Sequence, residues 1–337
     1  MTIARLRLFA DTLSRMPRFW RHALLVLVLA AAALSVTRGA VAVPLRELVP
    51  AALDDAHALH TVVWDVRLPR VLVAALTGAS LAVAGCLLQT VVRNPLADPA
   101  LLGVTAGAGA AALLAIVLWP ALSASLAAFA FAGALLATAV VLLLAFSSAR
   151  PGPLKIILSG VAVQAVLFSV ISLIMFFFAD RAPSFVAYTV GSLNGAGWNE
   201  VRVILVPAIL GIGIALIAAR PLNILLFDDA TAGGVGLNVP RVRLFAAGLA
   251  ALLAAGAVSV AGLVGFVGLV VPNLVRVVSG PDHRTLIPLA LLAGAALMIL
   301  ADLAARTVAA PLEIPVGALL ALVGGPYLLI LLRRKLS

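Results

Sequence analysis

Few polar residues in this sequence could carry chemistry, and they form no recognisable catalytic set. His57 and His60 lie close to Asp54 and Asp55, a spacing that could hold a metal ion or haem, although a solvated loop explains it better. The single cysteine, Cys86, excludes a disulfide scaffold and a cysteine-based metal site. No serine or cysteine has a base nearby in a recognisable arrangement. The sequence therefore predicts a protein that is not an enzyme and that carries no metal or cofactor of its own.

Residues that would couple transport to an energy source are also scarce. The two lysines, Lys155 and Lys335, do not complete a phosphate-binding P-loop. Ion-driven carriers usually keep charged residues at membrane depth. Asp302 is the main such residue, but Arg306 follows four positions later on the same helical face and can pair with it. An ion pair at a helix end is therefore preferred to a proton relay, and the energy source is expected on another chain.

The composition identifies the elements that must position these residues. Apolar residues make up 64% of the 337 and charged residues 11%, against about 25% charged in globular proteins. Neither a soluble fold nor a disordered chain accommodates this balance. Long apolar runs predict an all-α polytopic membrane protein, with residues 1–337 forming one transmembrane domain. The ten predicted spans are 22–37, 68–92, 99–119, 122–146, 155–178, 202–219, 242–263, 265–279, 285–305 and 314–332.

The distribution of charge predicts the orientation. If both termini are cytoplasmic, 16 of the 23 basic residues and 5 of the 13 acidic residues lie inside. The inside then carries +11 and the outside −1, as the positive-inside rule expects. Topology thus explains the net charge of +10, and nucleic acid is not needed as a partner. The basic residues placed inside are Arg5, Arg7, Arg15, Arg18, Arg21, Arg93, Arg150, Lys155, Arg220, Arg241, Arg243, Arg276, Arg284, Arg333, Arg334 and Lys335.

The start of the chain has a second interpretation. Arginines, an apolar run at 23–36 and the sequence Ala40-Val41-Ala42 imitate a cleaved signal peptide. Removal of the first span would leave an odd number of helices, so a retained first span is preferred.

Arg67 and Arg70 stand at the start of the second span. Residues three apart in a helix lie on one face, and positive charge there opposes the helix dipole. Asp65 and Asp302 are the only acids considered as local partners, so both arginines are expected to be exposed. An acidic partner outside the membrane would explain them, with anchoring to lipid headgroups as the alternative.

Two further segments predict tight turns. The first, Arg93-Asn94-Pro95-Leu96-Ala97-Asp98-Pro99, combines an Asn-Pro turn with Asp98 as a helix N-cap before a proline. The second runs from Gly262 to Arg276, where glycines predict a sharp turn and Pro272 interrupts a short, closely packed half helix.

A glycine-rich stretch lies in the longest predicted cytoplasmic loop. Asp228 and Asp229 can cap a short helix, and the glycines can end that helix and let another surface approach closely. A phosphate-binding loop is less favoured, because no lysine follows the glycines and the aspartates would repel phosphate. Protein docking is preferred. The residues assigned to it are Asp228, Asp229, Ala230, Thr231, Gly233, Gly234, Gly236 and Leu237.

These segments, with Gly191-Ser192-Leu193, Asp282-His283-Arg284 and 301–306, resemble the permeases of ABC importers for ferric siderophores, haem and vitamin B12. The resemblance extends in matching order from Val63 to Arg334. Two positions depart from the family pattern: Asn273 replaces a common histidine and Tyr188 a frequent tryptophan. Both keep polar or aromatic character, so the departures concern local packing or substrate preference.

The resemblance implies a ten-helix subunit of a bacterial plasma (inner) membrane importer for an iron chelate. It would pair with an identical or paralogous permease and with two cytoplasmic ATPases that hold ATP and Mg. A periplasmic or lipid-anchored binding protein would deliver the substrate. Residues matching Arg67, Arg70 and Arg306 receive acidic residues of that binding protein, and the segment 228–237 matches the helices that couple to the ATPase. A vitamin B12 importer and a self-contained secondary transporter remain alternatives.

Overall fold

Every regular element in the described part of the chain is helical. The structure is a computed structural model that describes residues 17–39, 41–119, 125–147, 152–181, 185 and 188–336. The α-helices are α1 (Pro17–Thr37), α2 (Leu48–Leu53), α3 (Leu68–Val92), α4 (Val104–Leu118), α5 (Leu126–Phe146), α6 (Pro153–Phe177), α7 (Trp198–Ile217), α8 (Ala219–Ile224), α9 (Asp229–Gly234), α10 (Val239–Ala261), α11 (Val267–Ser279), α12 (His283–Thr307) and α13 (Val316–Leu336). Short 3-10 turns occupy Leu45–Glu47, Pro99–Leu102 and Ala179–Arg181, and a π-helix at Thr61–Arg67 continues into α3.

The predicted all-α membrane architecture is confirmed. Among the described residues, seven helices are long and apolar enough to cross a membrane, and three shorter apolar helices match the remaining predicted spans. The observed ends differ from the predicted ones by a few residues. Helix α7 begins at Trp198 instead of 202, because the Glu200 carboxylate accepts a hydrogen bond from the Gly197 N–H at 2.8 Å and caps a polar first turn. The orientation in the membrane stays a prediction.

Some sequence predictions fall on residues outside the described ranges. They include positions 122–124 of the fourth span and position 40 of the signal-like sequence. The basic residues Arg5, Arg7, Arg15 and Arg150 of the inside set also lie outside the described residues.

The third predicted span needs correction. Residues 99–119 do not form one helix, because the 3-10 turn Pro99–Leu102 ends at Gly103 and α4 begins only at Val104. Gly103 has φ +76°, the left-handed conformation that glycine adopts without steric penalty. The turn therefore shortens the spanning helix to 15 residues.

The half helix predicted near Pro272 is present as α11, which has 13 residues and keeps Pro272 inside it. Helix α10 ends at Ala261, and the connection contains Gly262 and Phe266, both with φ +68°. The sharp turn predicted there is confirmed.

The core of the bundle consists of α3 with α10, α11 and α12 around it. Within the most apolar stretch of Thr61–Val92, 83% of the residues are buried, against 17% in α1 and 17% in α6. Glycine allows α3 to pack closely against α12 and α11. A Cβ at Gly78 would lie 2.1 Å from the Gly294 carbonyl oxygen, and one at Gly85 would lie 1.8 Å from that of Gly268. Helix α3 is therefore central, and its two ends carry the polar sites.

Candidate functional sites at the two ends of α3

At the start of α3, Arg70 is held by two carboxylates from distant parts of the chain. Its Nε donates to both oxygens of Asp302 at 3.1 Å, and its Nη2 donates to Asp302 Oδ1 at 2.9 Å. Its Nη1 and Nη2 also donate to the Glu313 oxygens at 3.2 and 3.0 Å. We name Arg70, Asp302, Glu313 and Arg306 the outer cluster, after its predicted side of the membrane.

The predicted pairing of Asp302 with Arg306 is confirmed. Arg306 Nε lies 3.5 Å from Asp302 Oδ2, one helical turn away on α12. Arg306 Nη2 reaches back to α1, where it donates to both oxygens of Ser35 at 2.5 Å. Arg67 is fixed in a similar way by α1 and the segment after it, since it donates to the carbonyl oxygens of Val36 (2.7 Å) and Val41. These contacts join α1, α3 and α12 at one end of the bundle.

The expected exposure of the arginines is wrong. Arg67 and Arg70 are only 5% and 9% exposed. The prediction included only Asp65 and Asp302 as acidic partners. It did not include Glu313, which lies 243 positions after Arg70 in the chain. Burial follows because helix packing brings oxygen acceptors to both guanidinium groups, and buried charges require such partners.

A cavity of about 530 Å³ opens beside the outer cluster. Among the described residues that line it are Arg38, Arg67, Arg70, Arg306 and the carboxylate of Glu313. Asp302 is buried behind the cavity, and the charged side chains among its described lining are four arginines and one carboxylate, that of Glu313. The cavity is thus an electropositive recess that could receive a carboxylate.

At the other end of α3, Asp228 caps the short helix α9 as predicted. Its Oδ1 accepts from the N–H groups of Ala230 and Thr231 at 3.1 and 3.0 Å, and its Oδ2 accepts from the Thr231 hydroxyl at 2.6 Å. The Thr231 hydroxyl and amide hold the pKa of the Asp228 carboxyl below its usual range. Ala232, within α9, is buried, so this face of the short helix packs against the protein.

Asp229 does not cap the helix but joins it to the core. Its Oδ1 accepts from Arg93 Nη2 at 2.6 Å and from Arg243 Nη2 at 2.9 Å. Hydrogen bonding to Arg243, with the nearby charge of Arg93, lowers the pKa of the Asp229 carboxyl. Arg243 is only 1% exposed, whereas the Asp229 side chain is 53% exposed. We name Arg93, Asp229 and Arg243 the inner clamp. The role of Arg243 was not predictable from the sequence, because no spacing rule links a loop aspartate to it.

The glycines that follow leave one side of α9 open. A Cβ at Gly233, Gly234 or Gly236 would meet no atom within 4 Å. Helix α9 ends at Gly234, and Gly236 adopts φ +87° before the Leu237 N–H bonds to the Ala232 carbonyl at 3.2 Å. The glycines therefore end the helix as predicted and keep a smooth surface.

The turn predicted from Arg93 to Pro99 lies next to the inner clamp. Arg93 has φ +52°, and its side chain donates to the carbonyl oxygens of Leu225 (3.2 Å) and Phe227 (2.5 Å). Asn94 Oδ1 accepts from the Leu96 N–H at 3.0 Å, and Asp98 accepts from the Ala100 N–H at 2.9 Å.

The predicted Asp98 cap is thus confirmed, although the element that starts at Pro99 is a 3-10 turn. The same turn meets α11 through Asn273, one of the departures from the family pattern. Asn273 Nδ2 donates to the Pro95 carbonyl oxygen at 2.7 Å and to that of Leu269 at 2.8 Å. Asn273 therefore links the turn to the half helix.

The histidines considered for a metal site have protein partners. His60 Nε2 lies 3.4 Å from Asp55, and its Nδ1 lies 3.0 Å from the Ala51 carbonyl oxygen. His57 Nδ1 accepts from the Leu59 N–H at 3.2 Å. Within the described residues, no group of three or more His, Cys, Asp or Glu side chains could hold a metal ion.

Known proteins are similar to this chain in sequence over most of its length. The hemin transport system permease protein HmuU of Yersinia pestis is 39% identical over 329 residues, covering 95% of this chain and 96% of that protein. The cobalamin import system permease protein BtuC of Halobacterium salinarum is 39% identical over 276 residues, covering 82% and 74%.

A solved structure shares the fold. It is an inward-facing conformation of a metal-chelate type ABC transporter, at 30% identity and a TM-score of 0.83, covering 93% of this chain and 98% of that one. The model of the FecCD transport family matches residues 25–334. The chain is therefore a multi-pass membrane protein of the FecCD transport family.

Proposed function

We propose that this chain is the permease subunit of a binding-protein-dependent ABC importer that brings an iron chelate, a ferric siderophore or haem, into the cytoplasm. The match to the FecCD transport family over residues 25–334 carries the proposal. A vitamin B12 importer is the second candidate, because the Halobacterium relative is named as a cobalamin permease and is 39% identical.

The energy would come from two cytoplasmic ATPase subunits that hold ATP and Mg, and a second permease, identical or paralogous, would complete the pathway. The chain would lie in the bacterial inner membrane with both termini in the cytoplasm. The absence of a P-loop from the sequence supports a division of labour in which this subunit moves substrate and the partners hydrolyse ATP.

Docking of the binding protein would use Arg67, Arg70 and Arg306. The electropositive cavity at the outer cluster supports this role, because an acidic side chain entering it would meet several guanidinium groups. Burial of the arginines means that the partner's carboxylates would have to reach into the recess.

Coupling to the ATPase would use α9 and the residues up to Leu237. The open glycine surface supports close approach of another protein, and the inner clamp supports transmission. Asp229 bonds both Arg93 at the end of α3 and Arg243 on α10, so a displacement of α9 would be transmitted to two core helices.

The function is tested by uptake of radiolabelled ferric siderophores, haem and cobalamin in cells with and without this chain. We expect loss of uptake of one iron chelate and no change for cobalamin. Loss of cobalamin uptake alone would replace the leading proposal with the second candidate. Transport by the reconstituted chain without ATP or partners would contradict both and favour a secondary transporter.

The coupling surface is tested by the paired substitutions Gly233→Trp and Gly234→Trp. A Cβ meets nothing at either site, so we expect the chain to fold and insert while ATPase association is lost. Gly152→Trp is the matched control, since that glycine is equally open but lies outside α9. An assembled, active complex carrying the tryptophan pair would contradict the assignment.

The docking surface is tested by reversing Arg67 and Arg70 to Glu and measuring how the binding protein stimulates ATPase activity. We expect stimulation to fall, most clearly at low salt, where charge is least screened. Arg46→Glu is the control, because that side chain is 84% exposed and outside the cavity. Unchanged stimulation would exclude the docking role. Correct assembly of the double variant is checked first by size-exclusion chromatography.

A further inference from the structure

The guanidinium group of Arg70 has two usable edges, and both are occupied. The edge formed by Nε and Nη2 faces Asp302, and the edge formed by Nη1 and Nη2 faces Glu313. A carboxylate binds arginine most strongly through two parallel N–H···O bonds along one edge. An incoming carboxylate would therefore need an edge that one of these two acids already holds.

Only one of the two edges can be released readily. Asp302 is 1% exposed and also neutralises Arg306, so removing it would leave two buried guanidinium groups without the carboxylate that they share. The Glu313 side chain is 35% exposed and lies in the connection between α12 and α13. Arg70 would keep its bonds to Asp302 when Glu313 leaves, and water reaches the Glu313 carboxylate, so releasing Glu313 costs less than releasing Asp302.

The backbone holds Glu313 in place for this contact. The Leu312 N–H bonds to the Ala309 carbonyl oxygen and the Ile314 N–H to that of Ala305, both at 2.9 Å. The residues on either side of Glu313 are thus tied to the end of α12, and little conformational freedom separates the Glu313 carboxylate from Arg70. A carboxylate that is positioned in advance competes effectively with one that arrives from solution.

We infer that Glu313 is a built-in competitor on Arg70, which occupies the position of a partner's carboxylate and is displaced when the partner docks. The inference rests on the proposed docking function of Arg70. Glu313 keeps Arg70 paired in the undocked transporter and makes docking an exchange of one carboxylate for another. It therefore sets the affinity for the binding protein and keeps the complex reversible.

The test uses the complete transporter, with its ATPases, in lipid nanodiscs and the binding protein that stimulates it. We expect Glu313→Gln to tighten binding about two- to fivefold, because the isosteric amide competes without charge. Glu47→Gln is the matched control, since its side chain is 33% exposed and also beside an arginine, Arg46. Unchanged or weaker binding by Glu313→Gln, while Arg67→Glu with Arg70→Glu abolishes docking, would overturn the inference and leave the proposed function intact.

A second readout needs no binding protein. Phenylglyoxal modifies accessible guanidinium groups, and mass spectrometry follows the modification of Arg70 in the undocked complex. We expect faster modification of Arg70 in Glu313→Gln than in the wild type, with no change in Glu47→Gln. Equal rates in the wild type and Glu313→Gln would show that Glu313 does not shield Arg70.

If neither Glu313→Gln nor the two arginine reversals change the affinity for the binding protein, the docking proposal itself fails.

Discussion

The two ends of α3 carry ion-pair sites of different design. At the outer cluster one arginine, Arg70, is shared by two carboxylates, whereas at the inner clamp one carboxylate, Asp229, is shared by two arginines. Arg70 and Arg93, which attach the two sites to α3, are 23 positions apart, so the sites lie about 35 Å apart along the helix axis. Each site joins α3 to other parts of the chain. The charge of the shared residue determines whether an incoming carboxylate or an incoming cation could compete for it.

Burial separates the two sites more clearly than charge does. Asp302 is 1% exposed, so its pairs with Arg70 and Arg306 are shielded from water and salt. The Asp229 side chain is 53% exposed and bonds a buried arginine from the solvent side. The outer cluster thus combines the buried pair of Arg70 with Asp302 and the more accessible pair of Arg70 with Glu313, while the inner clamp holds α9 through a carboxylate that water reaches.

The comparison is tested most strongly by Asp302→Asn. This change leaves the buried Arg70 and Arg306 without their shared carboxylate, so we expect a loss of about 3–5 kcal/mol in the free energy of unfolding. Thermal unfolding of the detergent-purified chain measures it. Glu47→Gln, at an exposed pair, should have almost no effect. Equal effects of the two variants would mean that burial does not distinguish the outer cluster.

Asp229→Asn should have an intermediate effect. It removes the charge that faces the buried Arg243, but water can partly replace it, so we expect a loss of roughly 1–2 kcal/mol. The functional effect should be uncoupling, seen as more ATP hydrolysed per molecule transported in proteoliposomes. Asp282→Asn is the control, because asparagine can keep the N-cap of α12 that Asp282 provides. An unchanged ratio in Asp229→Asn would contradict the role of the inner clamp.

A pH dependence should give the smallest effect. The pKa of Asp229 is lowered in the folded protein, so the clamp is fully formed above the usual carboxyl pKa and is lost as pH falls through the lowered value. Hydrogen-exchange protection factors of residues 229–237 should therefore decrease at acid pH. Because Asp228 also has a lowered pKa, the informative quantity is the difference between the wild type and Asp229→Asn. No difference would show that the clamp does not hold α9.

Local features of the sites could be predicted from the sequence because their partners are neighbours along the chain. Asp228 and Asp98 cap elements within three residues, and Asp302 pairs with Arg306 one turn later. Helix positions were also predictable, since a bilayer requires long apolar runs. The ends of the helices were less accurate where a polar first turn, as at Trp198, or a left-handed glycine, as at Gly103, changed the boundary.

The sequence by itself determined the class of this protein, its apolar helices, its capped turns and, through its motifs, its family. Tertiary structure decided the burial of Arg67 and Arg70, the sharing of Arg70 between Asp302 and Glu313, and the two arginines on Asp229. The physical reason is the separation along the chain between the residues that interact. Apolar length and capping depend on residues a few positions apart, whereas an ion pair between residues 232 or 243 positions apart exists only where helix packing brings their ends together.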